Sequence, residues 1–149
     1  MSDAAVVVNP DERPEPLDLG GEDITVLVSG AETNGYEAFL QVGREGSGPP
    51  PHHHPWDEAF FVLRGDVTFG AGGEESTVGP GGFVHIPGGT AHWFRLGGGG
   101  AEMLSFTSRA GAAEFFSAIS RGSLGDGAEL SDIVRIAASH QATILPPPG

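Results

Sequence analysis

The chain has no cysteine in 149 residues, which excludes disulfides and thiolate metal ligands and leaves the redox compartment open. Basic residues are scarce. Seven Lys and Arg against 20 Asp and Glu give a formal net charge of -13, a balance that argues against DNA, RNA and anionic membrane surfaces, which reward basic patches. No apolar run approaches the ~20 residues needed to span a bilayer. The N-terminus lacks a basic segment followed by an apolar stretch, so no secretion route is visible and the cytoplasm is the expected location. No self-similarity recurs at periods of roughly 20 to 50 residues, which excludes a solenoid. No helix-turn-helix pattern precedes the apolar runs, which disfavours a transcription factor.

Glycine and proline, by contrast, are plentiful, at 25 and 12 residues. Such a level can mean disorder, but here most of them punctuate short apolar runs and read as turns. The runs are Ile24–Ser29, Tyr36–Val42, Ala59–Leu63, Val67–Phe69, Phe83–Ile86, His92–Leu96 and Glu102–Thr107, with breaks such as Gly70-Ala71-Gly72-Gly73 between them. Many short strands at regular spacing predict an all-β sandwich or barrel. The acidic, proline-bearing residues 1–20 read as an N-terminal arm and residues 21–109 as the barrel. Residues 110–149 read as short helices and a tail packing on it, the whole forming a single domain of common size. Phe115, Phe116 and Ile119 in Ala110–Ser120, and Leu130, Ile133, Val134 and Ala137 in Leu130–Ser139, recur at helical spacing. The two phenylalanines are expected to pack against the barrel.

The chemistry-bearing residues fall in two stretches. Gly46 to Gly65 contains His52, His54 and Glu58, and Gly81 to His92 contains Pro87 and Gly89 before the histidine. On a strand, side chains two apart share a face roughly 6.5 to 7 Å apart, so His52 and His54 can meet one ion while His53 points away. Neutral imidazoles with one carboxylate suit a divalent first-row metal, and Mn, Fe, Co, Ni, Cu and Zn all qualify. His53, His85 and His140 read as surface or satisfied-core histidines.

The first stretch resembles the first cupin motif, Gly-x5-His-x-His-x3-Glu-x6-Gly, at Gly46, His52, His54, Glu58 and Gly65. The second resembles the second cupin motif, Gly-x5-Pro-x-Gly-x2-His-x3-Asn, at Gly81, Pro87, Gly89 and His92. Leu96 stands where the family has Asn, a position that is not a ligand there. The resemblance implies a cupin double-stranded β-helix (jelly-roll barrel) with one metal held by His52, His54, Glu58 and His92. The Gly-Pro-Pro-Pro run before His52 and the segment Leu130–Pro148 resemble, more loosely, small cupins related to quercetinases (flavonol dioxygenases).

Four neutral or singly charged ligands leave a divalent ion at a net charge of about +1 with open positions. Such a centre favours an anionic oxygen and acidifies a bound hydroxyl. The resemblance implies a dioxygenase acting with O2 on a small enolisable or aromatic compound, with Glu58 as metal ligand and general base. The alternatives are a non-oxidative cyclase, isomerase, lyase or decarboxylase, and a non-catalytic small-molecule binder. Strand alternation around Glu58 and His92 points Phe60, Val62, Phe94 and Leu96 inward. Trp56, Phe60, Val62, Phe83, Phe94 and Met103 are therefore the expected pocket residues. Asp57 is expected to face solvent, and the β strands and acidic arm suggest a homodimer.

Overall fold

Alternation of inward and outward side chains shapes the strands. In β5 (Glu58–Arg64), Glu58, Phe60 and Val62 are buried while Phe61, Leu63 and Arg64 are exposed. In β9 (His92–Leu96), His92, Phe94 and Leu96 are buried. This period of two marks a sheet with one face on a core. The structure is a computed structural model that describes residues 4–109, 111–123 and 130–145.

The remaining strands are β1 (Leu17–Asp18), β2 (Glu22–Val28), β3 (Tyr36–Gly43), β4 (His52–His53), β6 (Val67–Ala71), β7 (Glu74–Val78), β8 (Phe83–Ile86), β10 (Ala101–Ser108) and β11 (Thr143–Ile144). They form a six-stranded sheet, β1-β2-β3-β10-β5-β8, and a five-stranded sheet, β11-β4-β9-β6-β7, antiparallel throughout. Phe60 from the larger sheet meets Phe69 and Phe94 from the smaller, with ring centroids 5.0 and 5.6 Å apart. The two sheets are thus the halves of a jelly roll closed over one core.

That core has two parts. One is made of Phe60, Val62, Val67, Phe69, Ile86, Phe94, Leu96, Ala101 and Met103. The other joins Ile24, Phe39 and Trp56 to Ala112 and Phe115 of α1 (Ala112–Ser123) and Ala137 of α2 (Leu130–Ser139). Glu37 of β3 sits at the start of α1, where its Oε1 accepts the Ala113 amide at 3.0 Å, a carboxylate at the positive end of a helix. Helix α1 begins later than the sequence periodicity suggests. Helix α2 has the expected bounds, though its Val134 is 40 % exposed and faces away from the core.

The sequence reading missed β7. Glu74, Glu75, Ser76 and Thr77 are all exposed, so no apolar face announces the strand. Gly72 and Gly73, at φ of 59° and 86°, form the two-residue turn that pairs Ala71 with Glu74, a geometry glycine adopts without strain. Charged residues on this outermost strand protect an open sheet edge.

Candidate metal centre

Cross-strand register brings the four ligand candidates together. His52 on β4 lies opposite His92 at the start of β9, and Glu58 opens β5 in register with Thr107 of β10 and Ile86 of β8. His54 follows β4 in the loop that leads to β5. One ligand atom from each of His52, His54, Glu58 and His92 lies within 4.8 Å of the others. All four are buried, with 8, 4, 6 and 1 % exposure. Glu58 Oε1 is 3.2 Å from His92 Nε2 and 3.4 Å from His54 Nε2. Those separations suit ligands about 2.1 Å from one shared ion at angles of roughly 100 to 110°.

The outer nitrogens fix the rings. His52 Nδ1 lies 2.9 Å from Pro50 O, His54 Nδ1 3.1 Å from Trp56 O, and His92 Nδ1 2.8 Å from Thr90 O. In each case a carbonyl two residues away accepts the Nδ1 proton, and a neutral ring is then left with a bare Nε2 facing inward. Bare Nε2 atoms beside a carboxylate oxygen set lone pairs against each other. A cation between them resolves the conflict, and the donor set fits a divalent transition metal.

Protonation states agree with ligand duty. Burial, reinforced by the neighbouring His92, lowers the His52 pKa to about 4, so the ring is neutral at physiological pH. Burial alone would raise Glu58, but the interactions of its carboxylate with the adjacent His54 and His92 rings outweigh it and lower its pKa to about 2. Glu58 is therefore an anion at neutral pH.

Turn geometry supports the site. Gly89 N donates to His54 O at 2.8 Å, which ties the turn before His92 to the chain carrying the first His pair. Asp57 does face solvent, but it is not idle: its Oδ1 accepts the Gly88 amide at 2.8 Å. Leu96, where the family motif has Asn, is 3 % exposed in the core, and its backbone pairs with Gly46 and Ser47 on the approach to β4.

A cavity of about 360 Å³ opens onto His52, His54 and Glu58, a size within the range of small-molecule sites. Trp56 stacks on His54, with ring centroids 4.3 Å apart and 9° between planes. Phe94, Phe115, Phe116, Ile119, Ile133, Leu19 and Ile144 complete an apolar wall, and Glu22 and Gln41 add polar groups to it.

Of the expected pocket residues, Trp56 and Phe94 line this cavity. Phe60, Val62 and Met103 do not, although the alternation that turns them inward is correct. Each is 0 % exposed in the sealed part of the barrel, filling it rather than facing a ligand. Phe83 is a plain correction: it is 62 % exposed on the outer face of β8. Phe115 and Phe116 pack on the barrel and also wall the cavity. Sequence reasoning missed Glu22, Gln41 and the helical wall, because no local spacing links them to the histidines.

The cupin domain family matches residues 39–107. Among curated proteins, quercetin 2,3-dioxygenase of Bacillus subtilis (strain 168) is 33% identical over 82 residues, which is 52% of this chain and 24% of that enzyme. The chain thus spans about a quarter of the curated relative it matches. Among solved structures, KdgF from Halomonas sp. superposes with a TM-score of 0.65 at 18% identity, covering 72% of this chain and 97% of that one. The polyketide cyclase RemF from Streptomyces resistomycificus gives 0.62 at 20% identity, covering 70% and 80%.

Proposed function

We propose, from the premise that this chain belongs to the cupin superfamily, that it is a metal-dependent enzyme whose substrate is a small enolisable or aromatic compound, with quercetinase-like dioxygenation as its reaction. One observation carries the reading. Three histidines locked through Nδ1 and one ionised carboxylate converge beneath a cavity walled by Trp56, Phe94, Phe115 and Phe116.

His52, His54, Glu58 and His92 would hold the ion. When bound, a divalent metal supplies Lewis acidity that lowers the pKa of a coordinated hydroxyl. The chain's own groups do the rest. The aromatic wall orients a flat ring and excludes bulk water, which strengthens electrostatic interactions inside the cavity. Glu58, ionised and adjacent to the cavity, accepts the proton of the substrate hydroxyl at a carboxylate oxygen. With two carboxylate oxygens, Glu58 could serve as a ligand through one and as the proton acceptor through the other. The partial match to a quercetin 2,3-dioxygenase supports the choice of substrate class.

The outward face of the six-stranded sheet supports a homodimer. Phe61, Leu63, Phe83 and Phe106 are 38, 44, 62 and 38 % exposed there, and Phe61 and Phe83 lie opposite each other across β5 and β8. A contiguous apolar face of this kind marks an interaction surface.

Oxygen consumption by metal-loaded protein with a panel of flavonols and other enolisable compounds tests the proposal. Uptake matched to substrate loss is expected. Substrate loss without uptake replaces the reading with a non-oxidative lyase, cyclase, isomerase or decarboxylase. Tight binding without turnover of any compound replaces it with a binding protein.

A further inference from the structure

Four buried side-chain atoms among the described residues have no hydrogen-bond partner: Glu22 Oε2, Gln41 Oε1, Ser105 Oγ and Thr107 Oγ1. Only Glu22 and Gln41 also line the cavity. They are 8 and 4 % exposed. Neither is near the metal motifs in sequence, but the register of β2 on β3 sets Ile24 opposite Gln41 and Glu22 opposite Gly43. Glu22 and Gln41 are therefore diagonal neighbours on one sheet face. Gln41 Nε2 donates to Glu22 Oε1 at 3.2 Å, which holds the pair together and leaves one carboxyl oxygen and one amide oxygen unused. Buried polar groups without partners are uncommon and ask for a reason.

We propose that Glu22 and Gln41 form a polar subsite in the wall of the substrate cavity that binds a hydroxyl group remote from the metal. This rests on the reading of the cavity as a substrate site. The free amide oxygen can only accept. Burial, with the negative charges of Glu58 and Asp23, raises the Glu22 pKa to about 7, so near neutrality the free carboxyl oxygen is substantially an O–H donor. A hydroxyl can accept from the one and donate to the other. A carboxylate cannot donate to Gln41, and an ammonium cannot accept from Glu22. The surrounding Leu19, Ile24 and Phe94 wall suits a hydroxyl on an apolar or aromatic skeleton.

Two flavonols test this by calorimetric titration of metal-loaded protein: quercetin, with hydroxyls remote from its hydroxy-ketone group, and 3-hydroxyflavone, which keeps only that group. Wild type is expected to bind quercetin at least tenfold more tightly. Glu22→Leu/Gln41→Leu should bring the two within about twofold by weakening quercetin alone, and Glu22→Gln should retain most of the preference. Equal affinities in wild type, or equal weakening of both ligands in the double variant, overturn the subsite. If neither flavonol binds, the flavonol reading falls separately and the ligand-free melting temperature decides. Replacing both polar partners by apolar groups removes the unmet hydrogen bonds, so Glu22→Leu/Gln41→Leu melts above wild type if the pair is kept for a ligand. A lower melting temperature makes the pair structural and overturns the proposal.

Discussion

Glu58 joins two tasks in one side chain, and substitution separates them. Glu58→Gln keeps an oxygen ligand but loses the base, so metal binding should largely persist while turnover falls by roughly 10² to 10⁴-fold. His52→Ala or His92→Ala should lose metal and turnover together. Parallel metal analysis and rate measurement distinguish the two patterns, and unchanged turnover in Glu58→Gln would remove the base role. Glu22 gives a second residue-scale expectation. Its pKa is raised from 4.5 to about 7, so the folded state prefers the protonated acid. The associated stability is fully present below pH 4.5 and is lost as pH rises through about 7, a loss on the order of 3 kcal/mol. Denaturant unfolding of chelator-treated protein should show that loss in wild type and not in Glu22→Gln; parallel curves would contradict it. These residues differ in how plainly the sequence announces them. His52, His54 and Glu58 sit within seven positions, and strand geometry alone joins the His pair. Glu22 and Gln41 are 19 positions apart, and only the pairing of β2 with β3 gives them a shared role.

The elements place these groups through tight backbone contacts. Gly48, on the approach to β4, has φ of 149°, and a Cβ there would lie 1.9 Å from Phe94 O. Gly48→Ala should therefore destabilise by more than about 2 kcal/mol, read as a drop in melting temperature. An unchanged value would mean that this crossing of β9 is loose. Asp57 holds Gly88 in the turn before His92, so Asp57→Ala should weaken metal affinity by roughly tenfold, the order expected for a supporting contact. A titration with Co(II) or Zn(II) that returned wild-type affinity would show that the turn holds itself. Sequence alternation assigned the inward residues of β5 and β9 correctly. It could not say which inward residues face the cavity and which fill the closed end, because that depends on how the second sheet covers them. Phe60, Val62 and Met103 fell on the filled side. The helical wall was legible as helices but not as wall, since Phe115, Phe116 and Ile133 acquire that role only by docking on the barrel mouth.

At the scale of the whole molecule, the exposed Phe61 and Phe83 pair suggests where two copies meet. Wild type should scatter light as twice 15.3 kDa, and Phe61→Glu/Phe83→Glu should return a single-chain mass with the fold intact by circular dichroism. A monomeric wild type would remove the dimer. An all-β sandwich or barrel was legible because Gly and Pro break the chain into short apolar runs, and the jelly roll only through the resemblance of the two histidine stretches to the cupin motifs. Which outward side chains could form a contact between copies was not, because an interface and an ordinary exposed strand face have the same alternation. All of this depends on the central claim that His52, His54, Glu58 and His92 hold one ion. Elemental analysis of protein purified without added metal, then saturated with a single divalent metal and desalted, tests it most directly. Wild type should retain about one ion per chain, and His92→Ala/Glu58→Ala, folded by circular dichroism, should retain almost none. Equal metal content in the two, or a wild type that retains none after saturation, would contradict the account.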